Sequence, residues 1–309
     1  GRAGRATRMD AGKSHIAVCI CTYKRQDLLE TLLHRLEKQV TDDIFEYSIV
    51  IVDNDRNESA KTVVDSIREH SKPDIRYYTE PEQNIAMARN KAVENAGGDF
   101  IAFIDDDEIP TDRWLLTLYA TCEKWNADGV LAPVYPRFDM DPPEWVIKGR
   151  FFERPSHETG TVLKWQNTRT GNVLIRKKVF DDKRNRFDRK FLTGEDRDFF
   201  RRMIGEGHVF IWCNEAPVYE NISPLRWQKS FMLKRALFRG KIALNYPGSG
   251  VTDLLKSILA VVLYTAFLPA SILLGQHVFM KYMVKNCDHL GKILAYCGID
   301  VVRQKYVTE

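Results

Sequence analysis

The sequence predicts an α/β protein with a mostly parallel central sheet, followed by a helical region at the C-terminal end. Three observations predict this fold. Over the first 130 residues, short apolar runs alternate with segments in which apolar residues recur every three or four positions. The apolar runs are continuous, as in strands that are covered on both faces. The last third of the chain instead contains basic and apolar segments of helical spacing.

Each element of the first half follows from its own pattern. Strands are predicted where apolar residues run together, at 15–21, 47–52, 75–79 and 100–104. Helices are predicted between them, at 25–39, 58–70 and 84–96. The first helix has the clearest spacing, with leucines at 28, 29, 32, 33 and 36. Because strands and helices alternate, the strands are expected to run parallel.

The second half is less regular. Residues 133–155 are rich in proline and aromatic side chains, and they predict a long, ordered loop. Beyond this loop, the pattern predicts a strand at 171–177, a helix at 195–206 and a strand at 208–212. The six cysteines lack the spacing of a zinc site, and Cys19 and Cys21 are expected to be buried apolar residues of the first strand.

Composition restricts the class of protein. The 309 residues are 44% apolar, with 46 basic and 42 acidic side chains, so the chain is long and apolar enough to fold around a core. A net charge of +4 gives no support for nucleic-acid binding, and no nucleic acid is expected as a partner. We expect a tail at 1–14 without a secretory signal, a catalytic domain at 15–222 on the cytoplasmic side, and a membrane-associating region at 223–309.

The C-terminal region has the composition of a membrane-associated segment. Residues 226–241 hold six basic side chains and no acidic one, which predicts a basic amphipathic helix. Residues 257–275 carry no charge and include Pro269, and an amphipathic helix with several lysines follows. Three arrangements fit the apolar segment: a single membrane span, a re-entrant helix pair hinged at Pro269, or a buried core pair. The lysines favour a monotopic or re-entrant anchor at the cytoplasmic face of the inner membrane, with a single span second. The sequence leaves open a homo-oligomer joined through these helices.

The chemistry of such a fold is expected beyond the carboxyl ends of the strands, where acidic residues are concentrated. Asp105, Asp106, Asp107 and Glu108 follow the strand at 100–104 directly. Their oxygen atoms suit Mg²⁺ or Mn²⁺, and such an ion would bridge the oxygens of a diphosphate. The alternative interpretation is a solvated acidic turn. Asp53, after the second strand, would accept hydrogen bonds from a ribose or a base, or would instead cap the helix that follows it.

Two further segments are candidates for a site. Arg89 lies in the first turns of the helix at 84–96, where it would pair with a carboxylate or a phosphate, or remain an ordinary surface arginine. Glu195 and Asp196 open the helix at 195–206. They are candidates for a general base at the mouth of the cleft, or they simply complement the helix dipole.

Six motifs in order carry a resemblance to a known family. They are Val-Cys-Ile-Cys-Thr-Tyr-Lys-Arg at 18–25, Ile-Val-Asp-Asn-Asp at 51–55, Glu-Pro-Glu-Gln-Asn-Ile-Ala-Met-Ala-Arg-Asn at 80–90, Phe-Ile-Asp-Asp-Asp-Glu at 103–108, Thr-Gly-Asn-Val-Leu-Ile at 170–175 and Gly-Glu-Asp-Arg-Asp at 194–198. Together they resemble the inverting family 2 glycosyltransferases of the Rossmann-like GT-A fold, and most of all the succinoglycan-type exopolysaccharide β-glycosyltransferases. The resemblance covers about residues 15–240.

The resemblance implies a role for each matching residue. Donor-binding residues would be Thr22, Tyr23, Arg25, Asp53, Arg89, Asp105 and Asp106. Asp107 would bind Mg²⁺ or Mn²⁺, and Asp196, beside Glu195, would deprotonate the acceptor hydroxyl. Glu220 stands where relatives often have a metal-binding histidine.

Arg226-Trp227 is similar to the Q-x-x-R-W motif of processive polysaccharide synthases, with Ser223 at the glutamine position, and would lie at the acceptor or the diphosphate. The resemblance thus implies transfer of one sugar from a nucleotide-diphosphate sugar, a UDP-sugar above all, to a lipid-linked saccharide, with inversion. Transfer to a polyprenyl phosphate and a non-catalytic nucleotide-sugar-binding subunit are the alternatives. The implied partners are the donor, a polyprenyl-linked saccharide acceptor and the membrane surface.

Overall fold

The structure is a computed structural model, and it describes residues 12–191, 193–246 and 250–300. The larger of its two sheets has seven strands in the order β3-β2-β1-β4-β8-β6-β9. These strands are β1 (Ser14–Thr22), β2 (Phe45–Asp53), β3 (Asp74–Thr79), β4 (Phe100–Phe103), β6 (Gly129–Leu131), β8 (Val173–Arg176) and β9 (Phe210–Trp212). All neighbouring strands pair in parallel except at β8, which is antiparallel to both β4 and β6. The predicted α/β fold with a mostly parallel sheet is confirmed.

Helices cover both faces of this sheet, because every second side chain of a strand points to the same face. Ile16, Val18 and Ile20 of β1 belong to one buried cluster, and Ala17 and Cys19 belong to the other. The first cluster includes residues of α1 (Gln26–Leu36), α2 (Lys61–Arg68) and α4 (Trp114–Trp125), and the second includes residues of α3 (Ile85–Asn95) and α6 (Glu195–Gly205). Cys19 is therefore a buried strand residue, as predicted, and its thiol is free.

The segment at 133–155 is not a single long loop. It contains β7 (Val134–Arg137) and a short helix, α5 (Glu144–Gly149). β7 pairs in parallel with β10 (Val218–Asn221), which also pairs antiparallel with β5 (Glu108–Pro110). The sequence analysis missed this three-stranded sheet, since each of its strands is only three or four residues long and pairs with a distant segment.

Three helices complete the described chain: α7 (Lys229–Ile242), α8 (Val251–Leu273) and α9 (Gln276–Tyr296). α7 begins three residues later than the basic pattern predicted, because Arg226 and Trp227 belong to a preceding 3₁₀ turn at Pro224–Trp227. α8 continues through Pro269, so of the three arrangements that fit the sequence, the re-entrant helix pair hinged at that proline is not formed. The chain reverses at Gly275, whose φ of 108° is a backbone angle that glycine adopts readily. α9 then runs back along α8.

Candidate active site

The carboxyl ends of β1, β2 and β4 bring the predicted acidic residues to one edge of the large sheet. The run Asp105–Glu108 follows β4, and Thr22 ends β1 directly beside it. The Thr22 hydroxyl donates a hydrogen bond of 2.8 Å to Asp106 Oδ2, and Arg25 Nη1 donates one of 2.9 Å to Asp106 Oδ1. Arg25 Nη1 also lies 3.4 Å from Asp107 Oδ2. Neighbouring parallel strands therefore place these side chains in one network.

Asp107 lies in the middle of this run, among other acidic side chains. Its side chain is 13% exposed. Burial, together with the charges of Asp106, Glu220 and Asp105, raises the pKa of Asp107 to about 7. The guanidinium of Arg226 lies 3.7 Å from Asp107 Oδ2 and 2.9 Å from Glu220 Oε1. Arg226 thus joins the acidic run to the three-stranded sheet.

Two buried glutamates face each other in that sheet. Glu108 of β5 is directly opposite Glu220 of β10, and both side chains are almost fully buried. Like charges in such a pair destabilise a sheet unless cations compensate. Arg226 and Arg154 both bind Glu220 and hold its pKa below the ordinary value, although its burial acts in the opposite direction. The pKa of Glu108 is raised well above its ordinary value by burial and by the neighbouring acids.

Arg89 connects the acidic run to the start of α6. The side chain of Asn84 caps α3 by accepting from the backbone N–H groups of Ala86 and Met87, which starts the helix at the sheet edge. Arg89, one turn along, is buried; it binds Glu195 and lies 3.6 Å from Asp105 Oδ1. Burial raises the pKa of Glu195 to about 7, with Arg89 acting against this shift. This arginine is therefore a buried member of an ion network, and the surface alternative is wrong.

Asp196 follows Glu195 but remains partly accessible. Its Oδ1 accepts a hydrogen bond of 2.7 Å from the Arg197 backbone N–H. The Tyr246 hydroxyl donates to the carbonyl of Gly194 at 2.9 Å, and burial together with the charge of Asp196 raises the pKa of Tyr246 to about 12. A side chain from beyond α7 thus covers the turn that holds the candidate base.

Three further predicted residues, Asp53, Tyr23 and Trp227, are held by contacts within the protein. Asp53 is fully buried and accepts hydrogen bonds from the N–H groups of Asp55 and Ala60 and from the Tyr77 hydroxyl, so its oxygens already hold the turn before α2. The Tyr23 hydroxyl contacts the side-chain amide of Gln83. The Trp227 ring packs on Phe138, with ring centroids 5.7 Å apart, in a third buried cluster.

Across the described ranges, no group of three or more His, Cys, Asp or Glu side chains converges as a metal site. The residues at Asp107 nevertheless fit a divalent ion that is held mainly by its substrate. Mg²⁺ usually keeps several waters and binds through one or two carboxylates together with substrate phosphates. A buried carboxylate whose pKa is raised by its acidic neighbours is the kind of group that a cation stabilises.

The sequence analysis did not single out Arg154 and Arg169. Arg154 lies in the segment taken for a loop, and Arg169 directly precedes Thr170-Gly171-Asn172. Only the fold brings them to the Glu108–Glu220 pair, whose charges both act on Arg169. The position of Arg169 next to a motif was the one available signal in the sequence.

Comparisons with known proteins agree with this fold. Residues 17–184 match the family described as Glycosyl transferase family 2. The chain is 33% identical over 236 residues to the Succinoglycan biosynthesis protein ExoM of Rhizobium meliloti (strain 1021), covering 74% of this chain and 73% of ExoM.

Among solved structures, TarS of S. aureus in complex with UDP-GlcNAc superposes with a TM-score of 0.55 at 15% identity, covering 93% of each chain. Another TarS structure superposes with a TM-score of 0.53 at 20% identity. That match covers 82% of the present chain and 43% of the TarS chain. At this identity, the structural similarity supports the fold.

Proposed function

Since the chain belongs to glycosyltransferase family 2, we propose that it transfers one sugar from a UDP-sugar to a hydroxyl of a lipid-linked saccharide, with inversion, in the biosynthesis of a polysaccharide. One observation carries the proposal: Arg89 bridges the acidic run after β4 and the Glu195-Asp196 pair. Through this bridge, the proposed diphosphate-binding edge and the candidate base would share one cleft. ExoM is named for succinoglycan biosynthesis, and TarS is described with UDP-GlcNAc; both agree with such a reaction.

The donor would bind at the acidic run. Asp107 would hold Mg²⁺ or Mn²⁺, which when bound neutralises the charge of the donor diphosphate. Thr22 and Arg25 fix Asp106, and Arg25 reaches Asp107 as well, so the run is positioned before a donor arrives. Arg25 and Arg226 would contribute fixed positive charge next to the departing diphosphate. Tyr23 would line the nucleoside side of the pocket, and Asp53 would support that side by holding the turn before α2.

Asp196 would act as the general base. The acceptor oxygen forms a bond to the anomeric carbon while the bond from that carbon to the diphosphate oxygen breaks, and the electron pair leaves with the diphosphate. Asp196 takes the hydroxyl proton in the same step. Glu195, held by Arg89, fixes the start of α6 and thereby the position of Asp196. A phosphate nucleophile would need no base, which distinguishes this proposal from transfer to a polyprenyl phosphate.

We also propose that the region 223–309 associates with the cytoplasmic face of the membrane, with α8 lying along the surface. α8 is long and apolar enough to cross a bilayer, and its face with Leu255, Leu259 and Val262 is exposed. Its other face packs on α9: Tyr264 and Phe267 contact Tyr282, and Lys292 binds Asp253.

A spanning α8 would draw α9 into the hydrocarbon with charged residues that include Lys281, Lys285 and Asp288, each at a cost of about 3 kcal/mol. This cost favours a helix that lies in the plane of the surface. The basic helix α7 contributes less positive charge to membrane binding than its sequence suggests. Two of its basic side chains, Arg239 and Lys241, form ion pairs with Asp288 and Asp300.

The proposed activity is tested by donor binding and UDP release in the full chain, purified in detergent, over a panel of nucleotide sugars with and without Mg²⁺ or Mn²⁺. We expect one UDP-sugar to bind with metal and to release UDP slowly without an acceptor. If no donor binds with either metal, the proposal is wrong. A subunit that only binds nucleotide sugars would bind the donor but would never transfer or hydrolyse it.

A further inference from the structure

Arg169 is a partly buried cation near the acidic run, and its hydrogen bonds are incomplete. It lies in the loop that leads into β8, and its Nε atom is buried without a hydrogen-bond acceptor. Within the described residues, no carboxylate lies within 4.0 Å of its guanidinium. The next residue, Thr170, is 1% exposed, and its hydroxyl is also buried without a partner. Each of these two adjacent residues thus holds a buried polar atom without a hydrogen-bond partner in the described part of the chain.

The backbone beside these two residues lies directly against the acidic run. A Cβ atom at Gly171 would be 2.7 Å from Glu108 Oε1 and 3.1 Å from Asp105 Oδ2, so a larger residue there would displace these carboxylates. The charges of Glu108, Glu220 and Asp196 all act on Arg169, so its guanidinium lies within electrostatic range of the glutamate pair and of the candidate base. Burial, and to a smaller extent the positive charge of Arg154, lowers the pKa of Arg169 to about 10. A buried guanidinium with unmade hydrogen bonds is costly, and a bound anion would complete them.

The surroundings of Arg169 favour the acceptor over the donor as the source of that anion. Arg25, Arg89 and Arg226 already contact residues of the acidic run that would receive the donor, namely Asp106, Asp105 and Asp107 respectively. Trp165, four residues before Arg169, stacks on Tyr246 with ring centroids 6.1 Å apart, and Tyr246 binds the turn before Asp196. Arg169 therefore belongs to the wall that also holds the candidate base, where an acceptor hydroxyl must approach.

We propose that Arg169, assisted by the Thr170 hydroxyl, binds an anionic group of the acceptor next to the sugar whose hydroxyl faces Asp196. The group is a phosphate of a lipid-linked acceptor or a carboxylate of an acidic sugar, since both present oxygen atoms that a guanidinium binds in the same way. The inference rests on the proposed transfer reaction, because it takes the position of Asp196 as the acceptor side.

The test is a ligand-observed NMR titration of the full chain in detergent, saturated with UDP and Mg²⁺. Three probes are compared: methyl glucoside, methyl glucuronide and glucose 1-phosphate. The variants are Arg169→Gln and Arg169→Lys, with Arg184→Gln as the control, because Arg184 is exposed and pairs only with the nearby Asp182. The affinity for UDP is measured in every variant and reports whether the fold and the donor site are intact.

We expect the wild type to bind one charged probe at least about tenfold more tightly than the neutral one, as a charge-assisted hydrogen bond predicts. Arg169→Gln loses this preference, Arg169→Lys keeps part of it, and the affinity for UDP stays unchanged. The preferred probe distinguishes a phosphate from a carboxylate.

An equal affinity of the wild type for all probes would overturn the inference, as would a preference that survives in Arg169→Gln. A parallel loss of UDP affinity in Arg169→Gln would place the residue in the donor site and also overturn it. If the wild type fails to bind UDP, the proposed function itself is wrong, and this inference falls with it.

Discussion

Asp107 lies between two acidic neighbours in the chain and two arginines from distant segments. A buried carboxylate in such surroundings is costly unless a cation stabilises it. The two arginines stabilise it in part, and a divalent ion carrying a diphosphate would do so more strongly. The proposed metal chemistry therefore depends most directly on this residue.

We expect Asp107→Asn to remove the metal-dependent part of the affinity for UDP. The amide keeps the size of the side chain but loses its charge, so the affinity with Mg²⁺ should fall at least about tenfold, towards the value without metal. Calorimetric titration with UDP, with and without Mg²⁺, measures the change. Asp112→Asn, at an exposed position on the same segment, serves as the control. A variant that keeps the full metal effect would show that Asp107 does not hold the ion.

At the residue scale, the sequence predicted the side chains that follow strands and missed those that arrive through tertiary contacts. Thr22, Arg25 and Asp106 come together because parallel strands end at one edge, a relation that the alternation of elements implies. The contact of Arg154 with Glu220 joins residues 66 positions apart, and no local pattern specifies it. Long-range ion pairs of this kind depend on the packing of the whole domain.

At the element scale, apolar spacing identified most elements of the first half but not all of them. β1, β2 and α1 have nine to eleven residues each, enough for apolar spacing to identify them. β5 and β6 have three residues each, too few for a period to emerge, whereas β9, equally short, lies within the strand predicted at 208–212. α4 was not predicted, although it has 12 residues. α8 shows that a proline in an apolar segment does not by itself predict where a helix ends. Pro269 suggested a break, but the helix continues through this residue, which lacks the N–H for one backbone hydrogen bond.

The crossing of α7 and α9 depends on a close approach at Gly291. A Cβ atom there would lie 2.0 Å from the backbone carbonyl oxygen of Leu237, which cannot move without shifting α7. We expect Gly291→Ala to destabilise the chain by about 1–3 kcal/mol, as overpacked cores do. Thermal unfolding in detergent measures the loss against Gly205→Ala, where a Cβ atom meets nothing within 4 Å. A Gly291→Ala protein as stable as this control would contradict the close crossing.

At the scale of the whole molecule, the helical region and the candidate base are physically connected. Tyr246, which follows α7, binds the turn before Asp196, while α7 packs on α9 and α9 on α8. A membrane surface that held α8 would thus also fix the open side of the cleft. This arrangement suits an acceptor that is presented from a lipid.

We expect Leu259→Glu to weaken binding to anionic vesicles at least about tenfold, because burying a leucine contributes about 2 kcal/mol and a carboxylate opposes insertion. Vesicle flotation measures the effect, with Thr252→Glu as a control that adds the same charge at the polar end of α8. Wild-type protein should be extracted by alkaline carbonate. Retention in the membrane after that treatment would instead indicate a spanning helix.

The central claim is that Asp196 deprotonates the acceptor at a cleft whose donor side is formed by the acidic run. Single-turnover transfer by Asp196→Asn, measured beside its affinity for UDP, tests this claim most directly. General-base catalysis contributes about 10²–10⁴-fold, so we predict a loss of that size with UDP affinity unchanged. Glu206→Gln, exposed at the far end of the same helix, should retain wild-type transfer. An Asp196→Asn enzyme that kept more than about a tenth of wild-type turnover would contradict the claim.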